Sequence, residues 1–293
     1  MAFEISSSPF QTPPAALTRF PEPAKPPPWK NLIAADLLLS ELSSGIFIVA
    51  ALGDLIAAGA YAPMARIGYF IALPLILADL FCLVADLGDP LRFHHMLRVM
   101  KPRSPMSSGM WAIGCYATFA LACVILAGIN FPDLRQPRAI IAGIGLAPAL
   151  FVAGYKGVMF SATAQPGWKD ARWLGAELAT SAGLLGIAGL MLVSLFLPVK
   201  AAVPGLRLAQ IVMLFVNLAF SLMFFAEFGV KKFRQWSAFR WAAYGALILF
   251  GWVAPLVLTF VGGLPLLAAA ACLVIVAAIL FRWDLVMIPH VFT

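Results

Sequence analysis

Residues 79–111 read DLFCLVADLGDPLRFHHMLRVMKPRSPMSSGMW. An apolar run ends at Asp86, and a compact basic loop follows with Arg92, Arg98, Lys101 and Arg103. Ser104-Pro105-Met106-Ser107-Ser108-Gly109 then opens a second apolar run. Charge is gathered at the edge between two stretches that otherwise carry little of it. A chain that crosses a lipid bilayer and turns back has this pattern.

The composition extends that reading to the whole chain. Of 293 residues, 62% are hydrophobic and 11% charged, whereas a soluble domain carries about 25% charged residues. With a mean hydropathy of +0.95, the chain cannot cover a water-facing surface of its size. A span needs roughly 20 mostly apolar residues, and only helices or closed barrels satisfy the backbone in lipid. Long apolar runs without strict alternation favour helices. Eight spans are expected, over about 32–56, 66–86, 107–129, 138–163, 172–198, 206–229, 239–261 and 263–283. Pro74, Pro148 and Pro255 are expected to interrupt spans 2, 4 and 7.

An even number of spans puts both termini on one face, side A, with the loops near 87–106, 164–171 and 230–238. Side A collects 14 Lys and Arg residues and side B collects 5. The positive-inside rule then makes side A cytoplasmic, in a bacterial inner membrane. The net charge of +7 therefore belongs to interhelical loops and signals no nucleic acid. Residues 1–30 form a polar, Pro-rich tail without a signal-peptide pattern. It is expected to be extended unless a partner holds it. Cys82, Cys115, Cys123 and Cys272 fall inside apolar segments without a CxxC pair. They read as small buried hydrophobes.

Ionisable residues inside spans are costly and are functional candidates. Asp36 lies roughly 6 Å inside span 1, and Asp79 and Asp86 share one face of span 2 near side A. Tyr155 and Lys156 sit about two turns from the side-A end of span 4, with Glu177 and Glu227 near the same face. Glu41 is deeper, around the helix from Asp36. Side B offers Asp54, Asp133 and Asn130 only. Each has a plainer reading. Asp86, Asp89 and Arg92 can be a loop-capping ion cluster, Glu227 can snorkel, and Lys156 can pair with a carboxylate as a structural contact. His94 and His95 are adjacent in the basic loop, and His290 is expected in the C-terminal tail. None suits an intramembrane bis-His haem, so neither haem nor an iron–sulfur centre is expected in this chain.

Asp79 through Asp86, Asp89-Pro90-Leu91-Arg92-Phe93, and Ser104-Pro105-Met106 with Gly109 and Trp111 resemble the NrfD/PsrC-type membrane subunits of polysulfide reductase-like complexes. Tyr155-Lys156-Gly157, with Pro166-Gly167-Trp168, is similar to that family's Tyr-Pro-Gly and Pro-Leu-Trp pattern, and Ser44-Gly45 falls at a small-residue pair. The resemblance covers spans 1 to 4. It implies an all-α membrane protein of two four-helix bundles, here 31–165 and 166–293, without a cofactor of its own. A quinone or quinol (menaquinone or ubiquinone) would bind in the first bundle. A ferredoxin-like iron–sulfur subunit would dock nearby, with a molybdopterin or other catalytic subunit beyond it.

By the same resemblance, Tyr155 matches the quinone-contacting tyrosine. Asp36 stands where a relative has a quinone-contacting histidine, and Lys156 replaces the family's proline. Quinone chemistry needs proton-exchanging groups beside an apolar slot; Asp36 and Tyr155 supply the first, and Leu37, Leu38, Phe151 and Met159 line the second. Asp79, Asp86, Glu41, Glu177 and Glu227 are candidates for a proton route. Arg92, His94, His95, Arg98, Lys101, Arg103 and Trp168 would meet the partner, a basic face suiting an acidic one. A proton-coupled transporter with paired broken helices and a purely structural anchor are the competing readings.

Overall fold

The computed structural model describes residues 31–292 apart from 88, 130–133, 164, 166–167, 170, 198–199 and 234–237. The Pro-rich tail of residues 1–30 lies outside the described residues, as do the side chains of 58, 92, 96, 97, 228–233, 239 and 290–292. The described secondary structure is helical throughout. In chain order it comprises α1 (Asn31–Ile56), α2 (Ala58–Ala85), the short α3 (His94–Arg98), α4 (Pro105–Gly128) and α5 (Arg135–Ser161). There follow α6 (Leu174–Phe196), α7 (Val203–Phe233), α8 (Ala238–Ile248), a π-helical stretch Leu249–Val253, α9 (Ala254–Val261) and α10 (Leu264–Phe292). With α8, the π stretch and α9 counted as one, eight of these are long and apolar enough to cross a membrane. The chain is a multi-pass integral membrane protein.

Four features differ from expectation. The loop expected over 57–65 shrinks to Ala57 alone (φ −139°), and α2 begins at the next residue. Pro63 sits near the start of α2, where it removes a single backbone hydrogen bond without ending the helix. Pro74 and Pro148 likewise lie inside continuous helices; only the span containing Pro255 departs from α geometry, in the π stretch just before it. Third, α7 runs on to Phe233. Fourth, α10 continues through Pro289 to Phe292, so residue 290 belongs to a helix and not to a tail.

The two most enclosed spans are α1 and α6, and they cross directly. Lipid tails are as apolar as Leu, so close van der Waals contact between small residues drives such crossings. A Cβ on Gly45 would overlap the Ala182 carbonyl, and one on Gly186 would overlap the Gly45 backbone. α5 and α10 also pack on this pair, and one apolar core draws residues from both halves of the chain.

Arginines tie up side B. Arg66 Nη2 donates to the Ala127 carbonyl at 2.8 Å, at the end of α4. Arg207 donates to the Thr259 and Phe260 carbonyls at 2.9 and 2.6 Å, at the end of α9. These satisfy last-turn carbonyls that have no partner within their own helix.

Candidate functional site

The basic loop is pinned to the helix it introduces. Ser104 precedes Pro105, which takes the first helical position, and the Ser104 hydroxyl accepts from the Ser107 amide at 3.5 Å. The Lys101 amide donates to Ser107 Oγ at 3.0 Å, and Ser108 Oγ donates to the Pro102 carbonyl at 3.1 Å. This tether leaves His94, His95, Arg98, Lys101 and Arg103 exposed. The His94 and His95 rings lie 4.3 Å apart. Arg92 ends a short turn over Pro90–Arg92, and its side chain lies outside the described residues.

Beneath this loop a cavity of about 250 Å³ opens between α1, α2, α4 and α5. Asp36, Asp86, Tyr155, Lys156 and Met159 line it, with Met106, Met110 and Phe93. Asp86, Phe93 and Met106 are exposed and form its rim. Burial and the Asp36 carboxylate hold the Asp86 carboxyl above the usual carboxylate range.

At the cavity floor Lys156 spends all three ammonium hydrogens. Its Nζ lies 2.8 Å from Asp36 Oδ2, 2.9 Å from the Asp36 carbonyl and 2.6 Å from Asp79 Oδ1. Asp36, Lys156 and Asp79 are all buried, at 3%, 3% and 0% exposed. Among the described residues, Asp36 Oδ1 and Asp79 Oδ2 have no hydrogen-bond partner. Fully ionised, the group carries one negative charge in excess, which a low-dielectric site penalises. One added proton neutralises it.

Tyr155 forms part of the wall beside Lys156, whose Nζ sits 5.9 Å from the ring centre. Gly109 makes room for that ring, since a Cβ there would fall on it. Behind Tyr155 a second crevice of about 480 Å³ runs along Leu150, Phe151 and Val158, with Arg103 and Arg172 at its edge. Of the residues expected to line an apolar slot, Met159 faces the first cavity and Phe151 the crevice, while Leu37 is fully buried elsewhere in the core. Leu38 lines neither space.

The remaining acids lie apart from the cavity. Glu41 is ion-paired with Arg282, whose Nη2 also donates to Ser181 Oγ at 2.8 Å. Glu177 receives Asn217 Nδ2 on its carbonyl at 3.3 Å, and Asn217 Oδ1 accepts from Trp252 Nε1 at 3.0 Å. Glu177, Asn217 and Arg282 surround a void of about 20 Å³, room for one water. Glu227 accepts the Trp173 amide at 3.2 Å and so caps the start of α6. Trp168, expected at a docking face, is fully buried: its indole donates to the Leu285 carbonyl at 2.8 Å, and its ring lies 4.4 Å from that of Phe160, tilted by 34°. It ties the α5–α6 connection to α10 and offers no surface to a partner.

Several buried groups escape a reading by spans and loops. Arg282 and Arg138 count there as loop charges, but they are 1% and 5% exposed within the helices. Removing them from the tally leaves 13 basic residues on side A and 4 on side B. Gln210, Asn217 and Ser221 are also buried. Their spacing of seven and four residues marks one polar face on α7 and was the available signal.

Together these features define a multi-pass helical membrane protein with a one-sided polar site under a basic loop. The family described as Polysulphide reductase, NrfD matches residues 20–292, and the chain belongs to that family. A relative from Archaeoglobus fulgidus, the Hdr-like menaquinol oxidoreductase integral membrane subunit, is 24% identical over 134 residues. That alignment takes in 46% of this chain and 33% of the relative, so the chain matches about a third of that protein's length.

Proposed function

We propose that this chain is the quinone-reactive membrane subunit of a respiratory oxidoreductase complex, with its site in the first four spans. It exchanges electrons between a membrane quinone and an iron–sulfur subunit docked on the 87–104 loop, with a molybdopterin or other catalytic subunit beyond. The observation that carries the reading is the single cavity lined by Asp36, Tyr155 and Lys156, whose rim lies under the exposed basic loop. The A. fulgidus relative's name supports a quinol of the menaquinol class.

Quinol oxidation releases two protons with its two electrons. The acid–lysine–acid floor takes up one proton without accumulating charge, and Asp86 at the rim offers the next station toward water. Tyr155 hydrogen-bonds the ring oxygen, and the apolar strip of Leu150, Phe151 and Val158 gives the tail a path from the lipid. The basic loop attracts an acidic ferredoxin-like partner and holds its cluster near the cavity. Side A faces the cytoplasm by its excess of Lys and Arg, and Glu41 and Glu177 stand deeper as an inner proton reservoir.

The test combines a subunit inventory of the complex purified in mild detergent with quinol-coupled turnover of Asp36→Asn and Tyr155→Phe. General acid–base groups contribute typically ~10²–10⁴-fold, so turnover falls at least ~100-fold while subunit stoichiometry is kept. Wild-type turnover in both variants overturns the assignment.

A further inference from the structure

A second slot lies between α8, the π stretch and α10, far along the chain from the residues of the first cavity. Its volume is about 660 Å³, well within the ~300–1,000 Å³ of small-molecule clefts. Leu247, Phe250, Val276, Leu280 and Trp283 form its walls. Phe250, Val276, Leu280 and Trp283 are exposed large apolar side chains, so the slot opens to the lipid. Between Leu273 and Asp284, α10 runs along it for roughly 16 Å.

One end is polar and built. Asp284 Oδ1 accepts from Arg240 Nη2 at 3.0 Å, and the Tyr244 hydroxyl donates to Asp284 Oδ2. Guanidinium and carboxylate cancel, and the phenol is neutral. A phosphate headgroup calls for net positive charge, which this end, by its described residues, does not offer. It presents hydrogen-bonding groups without net charge, and so fits an uncharged polar head on a long apolar tail. Among amphiphiles of that kind, the aromatic side chains of Tyr244, Phe250 and Trp283 in the lining favour one with a planar ring. The first cavity carries the same three chemistries: a tyrosine, an acid and a cation against an apolar wall.

We propose that the α8–α10 slot binds an isoprenoid quinone or quinol, its head against Asp284, Tyr244 and Arg240 and its tail along α10. This second site stands independently of the one at Tyr155, and only binding is assigned to it.

The test uses the purified complex in phosphatidylcholine nanodiscs with a photoreactive azidoquinone bearing an isoprenoid tail, followed by peptide mapping. Label is expected on residues 240–287 as well as around Tyr155. Ala246 is exposed and lines the slot, so Ala246→Trp fills it without entering the core. That variant lowers the 240–287 label at least tenfold and leaves the Tyr155 label intact; Leu280→Trp does the same from the facing helix. Asp284→Asn reduces it several-fold. Label confined to the Tyr155 region overturns the proposal, as does label on 240–287 that neither filling variant reduces. Equal displacement by a tail-only isoprenoid alcohol, or by added anionic phospholipid, also overturns it. Loss of label near Tyr155 alone leaves this site standing and counts against the first one.

Discussion

Asp54 and Arg138 meet near side B, and Asp36, Asp79 and Lys156 meet near side A; both are buried ion groups joining distant parts of the chain. Near side B one guanidinium faces one carboxylate, with Nε at 2.8 Å from Oδ2 and Nη2 at 2.9 Å from Oδ1. The Tyr69 hydroxyl adds a third bond to Oδ2 at 3.3 Å. Charges balance and both oxygens are used. Near side A two carboxylates share one ammonium, two oxygens stay free, and a cavity of about 250 Å³ adjoins. The difference lies in valence and access. A closed pair holds helices together, whereas an open one beside a space can take up and release a proton.

The strongest way to break this comparison is to cut the closed pair. Removing one partner of a buried ion pair costs about 3–5 kcal/mol. Arg138→Met is therefore expected to lower thermal stability in detergent by that much, and Asp54→Leu with Arg138→Met to recover most of it. Should Arg138→Met keep its stability and lose quinol turnover, the side-B pair is part of the proton chemistry. Next comes Gly109→Ala, which pushes a methyl into the Tyr155 ring. A displacement of this size at a reacting group costs up to ~100-fold, read as lost turnover with unchanged assembly.

Asp79→Asn sharpens the contrast from the other side. It keeps the shape and removes the excess charge, so unfolding should shift by less than ~1 kcal/mol, against the larger loss at Arg138. The pH profile of turnover should change with it. The smallest effect is at Asp86, whose carboxyl is held above the usual range. A raised folded pKa stabilises fully below the unfolded value near ~4 and is lost as pH rises through the folded one. Asp86→Asn should thus match the wild type at low pH and gain on it toward neutral pH, by under ~0.5 kcal/mol for a rim residue. A gain in the opposite direction contradicts the burial argument.

The spans were legible because apolar runs of about 20 residues have few other uses, and Asp36 and Tyr155 stood out because polar groups under the headgroups are rare. Their shared cavity was not written in either residue's neighbourhood. Lys156 was readable as the partner of a carboxylate, but which carboxylates was not, because they lie 120 and 77 residues away. Glu41 and Arg282 are 241 residues apart, a separation no spacing rule spans. Arg138 and Arg282 were misplaced because a basic residue at the edge of an apolar window looks like a loop charge. Trp168 was grouped with the basic loop as a docking residue, and only the packing of α10 shows that it is enclosed.

The turn at Ala57 has a consequence for the opposite face. Asp36 lies about 32 Å of helix before it and Asp79 about 33 Å after it, so two arms of nearly equal length bring both acids to the same depth. One residue added to either arm would shift its acid by roughly 1.5 Å and swing it by roughly 100°. The site is dimensioned like the points of a pair of compasses, from a pivot on the far side of the bilayer.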